Sequence, residues 1–368
     1  MNSPSLRPRD EVVRYWLGVA RWSLLILLVF ELVVRIFVMR LPPYEYKSEW
    51  GLVPVEDSSS VQGREGYGVL HYLADGEIRT PYDGEGISVV ILGDSTVQAA
   101  QVNDSENFVS LTEAALRQEG FDVNLHNLGG SERTMADYVF MAPAVRQHFS
   151  PRVVVAQVSP ASFSLAFNTA KENHFVTNKD GSLGLVHDNS LERNLAARNI
   201  FFASGLVSLF NFRWQITSDE LADQLERIRF RSSREMAASG RKTFRTLVKN
   251  PVNDSHMKVL RLARELKTAY PGSEIVFLVI PYTPRIDPNH TRKISWTSNE
   301  NRRLVELLSS VPDVHVVYIQ ESFEKFYKQY FVLPRGSFNS QFNFGHLNRY
   351  GHRAVAQTLT EAMEAILK

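Results

Sequence analysis

The chain has no cysteine in 368 residues, which excludes disulfides, thiolate nucleophiles and cysteine zinc sites together. Neither sign of charge is in excess, since 41 Lys plus Arg face 40 Asp plus Glu. No global field therefore recruits nucleic acid, and a charge-driven partner would have to act through a local patch. Metal-ligand spacing is missing too: His126, His148, His256 and His290 form no ligand pattern, so no metal or other cofactor is expected. Internal repeats and low-complexity tracts are lacking. What is present is an ordinary globular composition, 44% apolar and 22% charged, in a chain long enough for one large or two ordinary domains.

One stretch departs from that average. "WSLLILLVFELVVRIFVM", Trp22 to Met39, is 18 residues with two charges, and Leu17 to Ala20 can extend it to the length that crosses a hydrocarbon layer of roughly 30 Å. Glu31 and Arg35 stand four apart on one helical face, where they can pair, and they mark a face for a helix partner. No A-x-A site follows, and the segment ends in "MRLPPYEY", so an uncleaved anchor is expected. Arg7, Arg9, Arg14 and Arg21 precede it against Arg40 and Lys47 after it, which points to a cytoplasmic start and an exported body. The expected organisation is a cytoplasmic 1–16, a transmembrane 17–39, a lead-in 40–86 rich in Pro, Gly, Ser and Tyr, and a domain over 87–368.

The domain alternates strands and helices. Strands are expected at 87–93, 122–129, 152–159, 273–282 and 314–320. Helices are expected at 105–120, 134–149 (bent at Pro143), 255–270, 299–311 and from about Arg349 to the end. Each strand is apolar throughout, which implies a parallel sheet covered on both faces, a three-layer α/β core of about five strands. A long insertion, expected to be helical, interrupts it at about 161–252. Within it, 199–214 is unusually apolar and 226–249 is strongly basic, which suits either a lid on a membrane or anionic polymer, or a helical cap with a solvated basic face.

The first strand, "ISVVILG", ends on Gly93-Asp94-Ser95. Ligands of such sheets sit outside the carboxyl ends of the strands, where Ser95 falls. A serine hydroxyl needs a base to take its proton and donors to hold an oxyanion. His346, in "FNFGHLNRYGHRAVAQTL", lies just before a final helix that Asn348 is suited to cap, so a terminal element can bring a base over the first strand. His126, inside a strand, reads as a satisfied core histidine, and His352 as packing on the last helix.

Three blocks, Gly93-Asp94-Ser95, Asn127-x-Gly129-x-Ser131-x-x-Thr134 and His346-Leu347-Asn348-x-x-Gly351-His352, come in an order and spacing that resemble the SGNH (GDSL-type) esterases and acetyltransferases. The resemblance implies a flavodoxin-like α/β/α core, Ser95 as nucleophile with its N–H as one oxyanion donor, and His346 as general base. The family's aspartate three residues before the histidine is here Asn343, whose amide oxygen would orient His346 without a charge. The second block has Glu132 where glycine is common, so the Glu132 N–H would be a donor, with Gly130 giving slack. The third block reads "SPAS", leaving Ser162 as the one candidate for its donor. Tyr282 and Arg285, after the fourth strand, could line the pocket.

These features imply a membrane-anchored, extracytoplasmic serine esterase or O-acyltransferase with no cofactor. It would act through an acyl-Ser95 intermediate on an acylated carbohydrate or other ester. A branch of the family that modifies cell-surface polysaccharide shares the anchor and the degenerate third block, and other membrane proteins are possible partners. The alternative is an SGNH-fold protein without catalysis that binds a glycan or assembly partner. A Ser95 Oγ to His346 Nε2 separation near 3 Å separates the two.

Overall fold

A computed structural model of the chain describes residues 9–63, 65–78, 86–189, 192–193, 195–196, 199–200, 203–214, 252–286, 294–340, 343 and 345–368. The basic stretch 226–249 lies outside them. Helix α1, Arg9–Phe37, opens the chain. Over Glu11–Phe37 it is long and apolar enough to cross a membrane, and almost none of it is covered by protein.

The lead-in folds into short antiparallel strands that follow α1 directly. Strands β1 (Met39–Arg40), β4 (Ser59–Gln62) and β5 (Gly68–His71) form a three-stranded sheet in the order β1-β4-β5, and β2 (Tyr44–Lys47) pairs with β3 (Gly51–Pro54). The end of α1 is tied to this sheet, because the Gly63 N–H donates to the Val38 carbonyl at 2.8 Å.

The central sheet is five-stranded and parallel throughout. Its strands are β6 (Ile87–Gly93), β7 (Val123–Gly129), β8 (Val153–Val158), β11 (Glu274–Val279) and β14 (Val314–Tyr318), in the order β14-β11-β8-β6-β7. All six residues of β8 are buried, as expected of a strand covered on both faces. The order reverses at β6, which has β7 on one side and β8 on the other. The carboxyl end of β6 is therefore the topological switch point, where such sheets open a crevice.

Helices cover both faces. After β6 come α2 (Ser95–Gln98) and α3 (Phe108–Gln118). After β7 come α4 (Met135–Phe140) and α5 (Ala142–Phe149), one apolar stretch divided at Met141 with Pro143 in the first turn of α5. Helix α6 (Pro160–Ser164) follows β8. The insertion is not wholly helical: a hairpin of β9 (Asn173–Thr177) and β10 (Leu183–His187) precedes α7 (Gly205–Trp214). The turn residues Asp180 and Gly181 are its sequence signal.

The chain then runs through α8 (Val252–Ala269), a small β12 (Arg285–Ile286) and β13 (Ile294–Ser295) pair, α9 (Asn299–Ser309), α10 (Gln320–Tyr330) and α11 (Arg349–Leu367). One core layer gathers Leu92, Tyr138, Ala156, Leu262, Phe277 and Leu304, and the opposite one Ile91, Phe108, Leu125, Leu278, Phe323 and Leu359. This is the three-layer α/β/α arrangement with an N-terminal apolar helix.

Candidate active site

Ser95 stands at the first position of α2, directly after β6. Asp94 caps that helix, accepting the Thr96 N–H at 2.7 Å, so its carboxylate is a turn-forming group. Gly93 allows the abrupt strand-to-helix turn: a Cβ there would lie 1.9 Å from Val97 Cγ2. Asn127 on β7 braces the same turn, donating from Nδ2 to the Val97 carbonyl at 3.0 Å.

His346 reaches Ser95 from the other end of the chain. Its Nε2 is 2.9 Å from Ser95 Oγ, the distance of a hydroxyl donating to an imidazole nitrogen. Its Nδ1 is 2.8 Å from Glu65 Oε2, and its backbone N–H donates to Glu65 Oε1. The carboxylate accepts at Nδ1, so the proton sits there and Nε2 is left to accept. Ser95, His346 and Glu65 thus form a continuous nucleophile–base–acid chain of the kind that activates a serine.

The acid differs from the expected residue. Asn343 does not orient His346: its backbone is left-handed (φ 53°), and its Nδ2 donates to the Pro284 carbonyl at 2.8 Å. With Gly345 also left-handed (φ 82°), the segment turns the Asn343 amide toward the 281–284 loop and the His346 ring toward the β4–β5 hairpin. Glu65 sits on that hairpin, in "GREGYG" (63–68). Asn339 clamps the hairpin from the C-terminal region, donating from Nδ2 to the Gly63 and Gly66 carbonyls (2.7 and 2.9 Å) and accepting the Gly66 N–H at 2.7 Å.

A buried cation fixes the histidine loop. Arg335, 7% exposed, donates to the Gly345 carbonyl at 3.0 Å and the Pro281 carbonyl at 3.2 Å, and stacks 4.5 Å over the Tyr282 ring. Burial pulls its pKa down to about 10 against the opposing fields of Tyr282, Asp94 and Glu65. Tyr282 completes the brace, its hydroxyl accepting the Gly345 N–H at 2.7 Å. Tyr282 is half exposed at the carboxyl edge of the sheet. For Arg285 only the backbone, paired with Ser295 in β12, falls within the described residues.

The oxyanion candidates divide. Among the described residues, neither the Ser95 nor the Glu132 N–H has an acceptor. Glu132 takes the left-handed conformation that glycine favours (φ 64°), while its carboxylate pairs with Lys171. The Gly130 N–H is not a free donor, because it is bonded to the Gly93 carbonyl at 3.0 Å. Ser162 is likewise taken up: its hydroxyl caps the Ser159 N–H at 3.0 Å, and its own N–H points back to the Ser159 carbonyl in the capping box that starts α6.

His126 and His352 have structural partners. His126 Nδ1 meets Glu77 at 2.8 Å. His352, 1% exposed, accepts the Phe108 N–H at 3.3 Å and stacks on that ring. Burial, with the nearby Arg335 and His346, lowers its pKa to about 3.

A second polar cluster joins the lead-in to the insertion. The Tyr46 hydroxyl is 2.6 Å from His187 Nε2, His187 Nδ1 is 2.7 Å from Asn173 Oδ1, and Glu172 lies against Tyr46. Desolvation raises the Glu172 pKa to about 7, reinforced by Asp137, Asp188 and Glu192 and opposed by the Tyr46 hydrogen bond. The folded protein therefore holds this proton more tightly than the unfolded chain. The associated stability is complete below about pH 4.5 and is lost as pH rises through 7. Glu172→Gln is expected to remove that dependence and to raise the melting temperature at pH 8 relative to the parent, while leaving it unchanged at pH 4.5. Thermal unfolding at the two pH values checks this.

Neither a family model nor a curated protein matches the chain. Similar solved structures include TesA (TM-score 0.39, 11% identity, 76% of this chain and 98% of that one). A lipolytic G-D-S-L family member from Veillonella parvula is similar at TM-score 0.37 and 10% identity, over 76% of this chain and 98% of its own. A catalytic mutant of Axe2, an acetylxylan esterase from Geobacillus stearothermophilus, is similar at TM-score 0.37 and 10% identity, over 76% and 94%.

Proposed function

We propose that the protein is a serine ester hydrolase or O-acyltransferase of the SGNH type. The observation that carries this reading is the chain Ser95 Oγ to His346 Nε2 to Glu65, 2.9 and 2.8 Å per link. A binding protein of the same fold has no need to align a hydroxyl, an imidazole and a carboxylate in this order.

Ser95 Oγ attacks the ester carbonyl while His346 Nε2 takes the hydroxyl proton. Glu65 stabilises the imidazolium that results and keeps the ring in its Nδ1–H tautomer. The Ser95 and Glu132 N–H groups receive the oxyanion. Collapse expels the alcohol, protonated by His346, and leaves acyl-Ser95. Water, or the hydroxyl of an acceptor, then gives its proton to His346 and attacks the acyl carbon, which regenerates the serine. Hydrolysis and transfer differ only in the acceptor that reaches this intermediate.

The finer reading is an O-acetyl ester of a cell-surface carbohydrate, with α1 anchoring the protein in the cytoplasmic membrane and the catalytic body on the periplasmic side. Its support is the SGNH-like motif set, the apolar α1 and the arginines at and before its amino-terminal part. The test incubates the full chain with p-nitrophenyl acetate, quenches in acid and maps the adduct. An acetyl group on the peptide containing Ser95, transferred to an added oligosaccharide or to water on chase, is expected. Release of p-nitrophenol with no acyl-peptide, or no turnover by folded protein, contradicts the reading.

A further inference from the structure

Glu31 interrupts the apolar α1 and is engaged by another helix. Its carboxylate accepts the Ser204 hydroxyl at 2.9 Å, the Gly205 N–H at 2.7 Å and the Leu206 N–H at 3.0 Å, all at the start of α7. Arg35, one turn on, approaches it to 4.0 Å. In water such groups hydrogen-bond solvent at little cost. In hydrocarbon each group removes the other's penalty: a carboxylate in a span is expensive, and so is an unmatched N–H at a helix start.

The crossing is close. A Cβ at Gly205 would lie 2.7 Å from Arg35 Cγ and 2.9 Å from the Met39 carbonyl. Ser208 is fully buried, and Val34 and Met39 are 2% and 0% exposed. Small residues at such a contact let two helix backbones approach, as they do inside membranes. The first turns of α7 are not fully covered by protein. Its sequence, "GLVSLFNFRW", is apolar at most positions, Leu206, Val207 and Leu209 are only partly covered, and Ile200 just before it is 78% exposed. The helix packs against α1, whose exposed residues are largely apolar, and a helix apolar on several sides needs an apolar surrounding.

We propose that α7 is a second membrane-embedded helix, inserted beside the C-terminal part of α1 with its outward side covered by lipid acyl chains. The proposal rests on reading α1 as a membrane span. Glu31 lies six residues before Phe37, about 9 Å below the end of the helix. The described turns of α7, Gly205–Trp214, span about 15 Å, half the hydrocarbon thickness. Over that length the element enters the hydrocarbon beside α1. It gives the catalytic body a second hold on the bilayer, next to the β1–β4 strands that lead to Glu65.

The absence of native cysteine makes single-cysteine labelling direct. The full chain carrying Leu209→Cys, Leu28→Cys or the exposed Ser164→Cys is labelled with bimane and reconstituted into phosphatidylcholine vesicles with or without chain-brominated lipid. Quenching at 209 within about twofold of that at 28, with none at 164, is the expected result. If 28 is quenched and 209 is not, the proposal fails. A soluble maleimide then tells water at Leu209→Cys (reactive) from a covering protein (unreactive). If neither 209 nor 28 is quenched, the anchor reading fails with it, while the acyl-Ser95 assay stands apart. Glu31→Gln is expected to reduce quenching in the Leu209→Cys chain and to leave it unchanged in the Leu28→Cys chain. Unchanged quenching at both sites overturns the holding role of Glu31.

Discussion

Glu65→Gln is expected to lower kcat for ester turnover by about a thousandfold to ten-thousandfold, whereas Asn343→Ala lowers it by less than about tenfold. The first magnitude follows from what an acid at the third position supplies: a fixed tautomer and a negative charge beside the imidazolium. In serine proteases its replacement by the amide costs about 10⁴. Glu65 meets both the ring Nδ1 and the backbone N–H of His346, so a glutamine there would have to turn its NH₂ toward one of two donors. The Asn343 amide donates to the Pro284 carbonyl, and its Oδ1 has no partner among the described residues. Its loss therefore disturbs the loop and not the relay. Steady-state kinetics with p-nitrophenyl acetate on both variants decide between the two residues.

Gly345→Ala is expected to lower kcat by about a hundredfold or more and to cost about 1–2 kcal/mol in stability. Two effects combine. A Cβ at Gly345 would fall 1.9 Å from Glu65 Oε1, so the carboxylate must leave its place under His346. The residue is also left-handed, φ 82°, a region that L side chains enter at a cost. Its N–H and carbonyl are held by Tyr282 and Arg335, so the loop cannot relax freely to absorb either. Chemical unfolding together with the kcat measurement separates the strain from the displaced acid. A variant that loses stability but keeps kcat would mean that Glu65 tolerates displacement.

Legibility in the sequence followed the distance over which a pattern operates. The five apolar strands and the helices that alternate with them depend on local periodicity, and the structure places strands at Ile87–Gly93, Val123–Gly129 and Val153–Val158 within a residue or so of the expected limits. Helix α10, Gln320–Tyr330, lies outside the helices that the sequence pattern predicts. It starts immediately after β14 with Ile319 at its N-cap and no side-chain cap, so the usual start signal is missing. The hairpin β9–β10 departs from the helical insertion that the sequence suggests, although Asp180 and Gly181 announce its turn.

Ser95 and His346 could be singled out because each follows or precedes a regular element. Glu65 could not, because it lies 281 residues from His346 and shares no element with it. The available signal was the glycine spacing of "GREGYG", which marks a tight hairpin around one carboxylate. Motif spacing directed attention to Asn343 instead, and two left-handed residues in the following turn undo that expectation.

The same geometry determines the material to be tested. Strand β1 begins at Met39, and the Gly63 N–H is bonded to the Val38 carbonyl, so a chain begun near residue 41 would hold the Glu65 hairpin by the Asn339 clamp without these two supports. The full chain in detergent or vesicles is the appropriate protein. Activation of Ser95 through His346 and Glu65 is read from the rate at which a fluorophosphonate labels the chain, compared with Ser95→Ala and Glu65→Gln. Labelling of the parent at Ser95 is expected, with none in Ser95→Ala and a rate slower by at least about a hundredfold in Glu65→Gln. A folded parent that resists the probe, or a Glu65→Gln variant labelled at the parent's rate, would contradict a serine activated through His346 by Glu65.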